Sequence, residues 1–114
     1  VHLVLSQRSR GLVGARELGL MKQTAYIINT SRGPIIDEDA LAVALRDGNI
    51  AGAGLDTYGL EPVPKNNPFL DLPNTVLTPH LGYVTADTYE LFYGHTVENI
   101  AAWLKGAPVR VITA

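Results

Sequence analysis

Three polar side chains in this sequence each stand at the end of an apolar run. Arg32 follows Ala25-Tyr26-Ile27-Ile28-Asn29-Thr30-Ser31, Glu61 follows the run from Ala51 to Tyr58 after a short turn, and His80 follows Val76-Leu77-Thr78-Pro79. An open α/β sheet binds its ligands outside the carboxyl ends of its strands. A cation, a carboxylate and an imidazole brought to that one edge are the parts needed to hold a carboxylate substrate and to move a proton.

Each residue also has a plainer reading. Arg32 can form a surface ion pair with a nearby Asp, or it can offer a bidentate fork to a carboxylate, with Gly33 letting the backbone turn. Glu61 can be a solvated group in a proline-rich loop, or a carboxylate that orients a histidine and favours its protonated form. His80 can be structural, or it can donate and accept a proton near neutral pH. Asp56 can cap the loop that follows it, or accept a hydrogen bond from an amide at the sheet edge. For His2 and His95 a structural role fits best. No two of the three histidines have metal-ligand spacing, so the sequence offers no metal site.

The elements that would carry these residues alternate. Residues 1–5 read as a buried strand. Residues 12–22 read as a helix, with Leu12, Ala15, Leu18 and Met21 roughly along one face. Residues 25–29 are a strand rich in β-formers. Asp37 is expected to cap a helix whose first turn holds Glu38 and Asp39 and whose end is Gly48. Residues 51–56 form a third strand. Residues 58–73, with Pro62, Pro64, Pro68 and Pro73, read as loop. Residues 75–78 are a short fourth strand. Thr85 or Asp87 caps a long helix running to about Lys105, stopped by Gly106 and Pro108. Its apolar stripe from Tyr89 to Leu104 is wider than a half-sheet would cover, so part of it should remain exposed.

Strand–helix alternation with short connections implies βαβ units and a parallel sheet. Strands without polar alternation imply burial on both faces. The expected architecture is α/β: half of a doubly wound parallel sheet with flanking helices and a long C-terminal helix.

The bulk numbers agree. The 114 residues are 46% hydrophobic and 18% charged, a globular composition. A net charge of −2 with scattered Lys and Arg gives no nucleic-acid footprint, and no apolar run is long enough to span a bilayer. The absence of cysteine removes disulfide and thiolate chemistry and fits a cytoplasmic protein. The chain opens inside an apolar run without Met, which suggests a piece of a longer protein.

Several ordered segments carry a family likeness. They are Gly11-Leu12-Val13-Gly14 with Leu20-Met21-Lys22, Ile28-Asn29-Thr30-Ser31-Arg32-Gly33, Asp37-Glu38-Asp39-Ala40-Leu41, Ala51-Gly52-Ala53-Gly54-Leu55-Asp56, Glu61-Pro62, and Asn74 through Thr78-Pro79-His80. In this order and spacing the chain resembles the C-terminal part of the NAD-binding domain of the D-isomer-specific 2-hydroxyacid dehydrogenases, a Rossmann-like fold. The resemblance implies a dinucleotide-binding portion over residues 1–85. It implies a return helix and tail over residues 86–114, leading towards a substrate-binding domain. It implies NAD or NADP as cofactor, a small 2-hydroxy or 2-keto acid as substrate, and a homodimer for the full-length protein. His80 takes the role of acid/base, Glu61 pairs with it, and Arg32 holds the substrate's carboxylate and carbonyl. Thr30, Ser31, Arg32, Asp56, His80 and Gly82 fall on the nicotinamide side. A non-catalytic module of the same fold, as in corepressors that share this domain, is the alternative.

Two departures stand out. Ser6-Gln7-Arg8 replaces a loop that often holds proline, and Tyr83 stands where many members have a small residue. No G-x-G-x-x-G occurs, so the pyrophosphate loop and the ribose-reading acid are not in this stretch.

Overall fold

The computed structural model describes residues 1–112; positions 113 and 114 of the expected tail lie outside the described residues. The chain divides into two compact units, Val1–Leu81 and Gly82–Ala114, a few residues before the expected division at 85.

The first unit is built on a three-stranded parallel sheet in sequential order: β1 (Tyr26–Asn29), β2 (Gly52–Leu55) and β3 (Thr75–Leu77). In register, Asn29 pairs with Leu55 and Leu55 with Leu77, so all three strands end on one row. The connection from β1 to β2 is the helix α2 (Glu38–Arg46). Asp37 caps it as expected, its carboxylate accepting from the Ala40 amide at 3.1 Å. At the other end Gly48 has φ 68°, a left-handed conformation that costs glycine nothing. The Gly48 amide then donates to Leu45 O and the Asn49 amide to Ala44 O, satisfying carbonyls the helix leaves unpaired.

Leu41, Ala42, Ala44 and Leu45 of α2 pack with Ile27, Ala53 and Leu55 of the strands and with Leu18, Ile36, Ile50, Tyr58 and Phe69. This core lies on one face of the sheet. The other face is open: Tyr26 is 70% exposed, Ile28 52% and Val76 71%. The expectation of strands buried on both faces is therefore corrected. The apolar residues for a second buried face are present, but within this unit helix α2 packs only on the first.

Three further expectations are corrected. Residues 1–5 are not a strand, because side chains take the carbonyls a ladder would need. Ser9 Oγ donates to Val4 O at 2.7 Å and Ser31 Oγ to Leu3 O at 2.5 Å, while the Val1 ammonium donates to Ile28 O at 2.6 Å. The first helix, α1, spans only Ala15–Gly19 rather than residues 12–22. Residues 11–13 are instead drawn into extended pairing with residues 34–37, through Gly11 N to Pro34 O, Val13 N to Ile35 O and Asp37 N to Val13 O. Helix α1 starts where the Glu17 carboxylate reaches back to the Gly14 amide at 3.1 Å. Finally, the proline-rich connection from β2 to β3 is not wholly irregular. It contains a 3-10 turn, Pro68–Asp71, capped by Asn67, that places Phe69 at 0% exposure in the core.

The second unit contains α3 (Ala86–Leu104), capped by Thr85, whose hydroxyl accepts from the Thr88 amide at 3.2 Å. No α3 residue is buried, and Phe92, Tyr93, Val97, Ile100 and Leu104 of the stripe are all exposed, as anticipated for part of it. Arg110 returns to the helix, pairing with Glu98 at 2.5 Å and Asn99 at 3.0 Å. Among the described residues no helix is long and apolar enough to cross a membrane.

Candidate active site

Because the strands end on one row, the segments that leave them emerge together. Arg32 lies three residues past Asn29, and His80 three past Leu77. Glu61 lies further along the segment that leaves Leu55. The parallel sheet thus turns three distant sequence positions into neighbours at one edge.

Asn29 shapes the first segment. It is 1% exposed, its side-chain amide donates to Arg32 O at 3.0 Å, and its Oδ1 accepts from the Ser31 amide at 3.1 Å. An Asx turn of this kind lets a short polar side chain replace the ladder at a strand end. Arg32 is exposed and extended, and its Nη1 donates to Ser31 O at 2.6 Å. It forms no ion pair among the described residues. Gly33 follows and lies directly against the Tyr58–Gly59 backbone; a Cβ there would come within 2.0 Å of the Tyr58 carbonyl carbon. Glycine is required here by close approach rather than by the sharp turn expected from sequence.

The second segment carries Asp56, Tyr58 and Glu61. Glu61 Oε1 accepts from the Tyr58 amide at 2.9 Å, and its Oε2 lies 2.8 Å from His80 Nδ1. The Glu61–Pro62 peptide bond is cis. The bond to His80 holds the Glu61 carboxyl below the usual carboxylate range, helped by the Tyr58 amide and by the charges of His80 and Arg32, against a smaller opposing effect of burial. An ionised carboxylate only accepts. Nδ1 of His80 must therefore carry the proton in this pair.

His80 itself has φ 57°. A left-handed conformation in a residue other than glycine costs on the order of 1–3 kcal/mol and persists only where its surroundings enforce it. Here the enforcement comes from both sides. Before His80, Thr78 Oγ1 donates to Asp56 Oδ1 at 2.5 Å, and the Tyr58 hydroxyl lies 3.0 Å from Thr78 O and from Leu55 O. After it, the Leu81 amide donates to the same Asp56 oxygen at 2.7 Å. Asp56 and Tyr58, both from the end of β2, therefore clamp the turn that presents the imidazole. Burial is the main cause that pushes the Tyr58 hydroxyl up, with the carboxylates of Asp56, Glu61 and Glu38 adding to it.

Two clefts flank this edge. One, of about 570 Å³, is bounded by Tyr58, Glu61, Pro62, Val63, Pro79 and His80. The other, of about 590 Å³, lies over the open face of the sheet and includes Ile28, Thr30, Gly54, Asp56, Val76 and Thr78. Of the residues expected from sequence, Glu61 and His80 are in direct contact, and Arg32 is close enough for its charge to act on Glu61. Thr30 and Asp56 share the second cleft, and Ser31 is tied to Leu3. Gly82 is the first residue of the second unit. Asn29, Glu38, Tyr58 and Thr78 were not singled out from sequence. Asn29 at a strand end before Thr30-Ser31 is an Asx-turn signal that could have been read; the other three leave no such mark.

Residues 1–82 match the family model described as D-isomer specific 2-hydroxyacid dehydrogenase, NAD binding domain. The chain belongs to that family. Among curated proteins it is 38% identical, over its whole length, to a glycerate dehydrogenase of Methylorubrum extorquens, of which it spans 37%. It is 41% identical, over 93% of its length, to glyoxylate/hydroxypyruvate reductase B of Yersinia enterocolitica, of which it spans 32%. Among solved structures, a putative D-3-phosphoglycerate dehydrogenase oxidoreductase from Ralstonia solanacearum superposes with a TM-score of 0.90 at 34% identity, covering 97% of this chain and 33% of that one. The chain thus spans about a third of the length of the relatives it matches.

Proposed function

We propose that this chain supplies the acid/base half of a nicotinamide-dependent oxidoreductase that interconverts D-2-hydroxy acids and 2-keto acids, within a longer polypeptide. The observation that carries the reading is the 2.8 Å contact between His80 Nδ1 and Glu61 Oε2 at the C-terminal edge of a parallel sheet. With Nδ1 committed to Glu61, Nε2 is the ring nitrogen that gives its proton to the carbonyl oxygen in reduction and takes it back in oxidation. Glu61 fixes the ring's orientation and stabilises its charged form. Arg32 holds the substrate carboxylate and offsets the negative charge that develops on the carbonyl oxygen. The chain alone, without the pyrophosphate-binding loop, is expected to be inactive.

The residues present fit the nicotinamide end of NAD or NADP. The cleft that contains Thr30 and Asp56 sets these polar groups beside the apolar Ile28 and Val76, a lining suited to a flat ring bearing an amide. When bound, the cofactor supplies or accepts the hydride. Asp56 would face the carboxamide, with the backbone around Thr30 and Ser31 beside it. Residues 86–114 would lead towards a substrate-binding domain, and a homodimer in a cytoplasmic setting is part of the same proposal.

The test is His80→Ala in the full-length protein. Turnover of a 2-keto acid such as glyoxylate or hydroxypyruvate should fall by about 10²–10⁴-fold, with cofactor affinity little changed. If His80→Ala kept wild-type kcat/KM for every 2-keto acid tried, the site would not be catalytic, and a non-catalytic binding module would take its place.

A further inference from the structure

Helix α2 begins with a carboxylate that does more than suit the helix dipole. Glu38 Oε1 accepts from the Gly59 amide at 2.7 Å, a contact across 21 residues of sequence. Gly59 is joined by one peptide to Tyr58, whose own amide donates to Glu61 at 2.9 Å. Glu61 in turn holds His80. A continuous path therefore runs from the first residue of α2, through two consecutive backbone amides, to the imidazole. The packing at Gly59 agrees: a Cβ built there would come within 2.8 Å of Glu38 Oε2 and 3.3 Å of its carboxyl carbon, so the three nearest atoms all belong to the Glu38 carboxylate. The site has room for the Glu38 carboxylate because residue 59 has no side chain.

We propose that Glu38 is a positioning residue for the Glu61–His80 pair, fixing the Tyr58–Glu61 turn through the Gly59 amide. Its part in catalysis rests on the function proposed above; its part in the geometry does not. Position and charge can be separated. The ionisable and charged groups around the pair are Arg32 after β1, Glu38 and Asp39 on α2, and Asp56 and Tyr58 just after β2. Burial, more than the charges of Asp39 and Glu61, raises the Glu38 carboxyl, whereas Glu61 is lowered by its bond to His80. As pH falls, Glu38 is thus neutral before Glu61 takes up its proton. Removing the charge of Glu38 should leave the Glu61 titration nearly unchanged, while removing its hydrogen bond should not.

The experiment follows the Glu61 carboxyl carbon by NMR, beside turnover, in the full-length protein. Glu38→Ala should move the Glu61 titration measurably up towards the ordinary carboxylate range, because the bond to His80 is loosened. Glu38→Gln keeps an acceptor for Gly59 and should titrate as wild type. Gly59→Ala pushes the Glu38 carboxylate away from the opposite side. It should reproduce Glu38→Ala, and the double variant should be no worse than either single one. In the full-length protein Glu38→Ala should lower kcat by about tenfold with little change in KM, and Glu38→Gln should restore it. An unmoved Glu61 titration in Glu38→Ala, or Glu38→Gln behaving like Glu38→Ala, would overturn the proposal. A shifted Glu61 titration in a protein whose turnover ignores His80→Ala would support the positioning and refute only the catalytic reading.

Discussion

One methyl group at Gly33 should dismantle the site without touching any of its charges. A Cβ at Gly33 would lie 2.0 Å from the Tyr58 carbonyl carbon and 2.4 Å from both the Tyr58 oxygen and the Gly59 nitrogen. Ordinary contact begins near 3.4 Å, so the closest approach falls about 1.4 Å short. All three atoms are backbone, so no rotamer can relieve the clash. The segment after β1 and the segment after β2 must part. Overpacking of this kind costs about 1–3 kcal/mol, and straining the hydrogen bonds from Gly59 to Glu38 and from Tyr58 to Glu61 adds to it. We expect Gly33→Ala to destabilise the chain by about 3 kcal/mol in urea denaturation. A displacement of about 1 Å between Arg32 and the Glu61–His80 pair should cost on the order of 10²-fold in kcat/KM of the full-length protein. Gly19→Ala is the control: a Cβ there meets nothing within 4 Å, and the change should be neutral or slightly stabilising. If Gly33→Ala stayed within about 0.5 kcal/mol of wild type and kept its kcat/KM, the close approach would not be what registers Arg32 against Glu61.

Thr57 is 1% exposed and its hydroxyl has no hydrogen-bond partner among the described residues. Thr57→Val keeps the shape and removes the orphaned group, so it should stabilise by about 1 kcal/mol; a loss of stability in the same melt would mean that the hydroxyl has a partner. The Glu61–His80 pair should support the fold only where Glu61 is ionised. Because the folded carboxyl is held below its unfolded value, the contribution is complete above pH of about 4.3 and disappears as pH falls through the folded value. Both side chains are 35% exposed, which limits the effect to less than about 1 kcal/mol. Glu61→Gln should thus be slightly less stable than wild type at pH 7 and equal to it in acid; a gap that widened on acidification would contradict this sign.

What could be read from sequence was mostly local. Asp37 was identifiable as a cap, and the cap of the long helix was narrowed to Thr85 or Asp87, because a short acceptor before a helical pattern has one main use at that position. Gly48 marked a helix end for an equally local reason. The parallel sheet followed from alternation, and with it the edge where Arg32, Glu61 and His80 leave their strands. The errors arose where a local pattern met a non-local competitor. Residues 12–22 carry helical spacing, yet residues 11–13 gain more by pairing with residues 34–37. Residues 1–5 have strand composition, but the hydroxyls of Ser9 and Ser31 take the carbonyls of Val4 and Leu3.

The supports of the site were illegible for a further reason: most act through backbone. Gly33 matters because it touches a peptide, Glu38 because it receives an amide, and Tyr58 because its amide and hydroxyl bond different parts of the edge. Backbone groups are the same in every sequence, so spacing cannot report which of them a side chain will find. Asp56 shows how the two readings of a residue can meet. Its plain role, closing the loop after its strand, is what the structure contains: one carboxylate oxygen takes both Thr78 and the Leu81 amide. That closure flanks His80, whose backbone is left-handed and whose ring is held by Glu61. A residue that looks merely structural by its contacts thus fixes where the imidazole stands, and under the proposed function that placement is what the proton transfer would depend on.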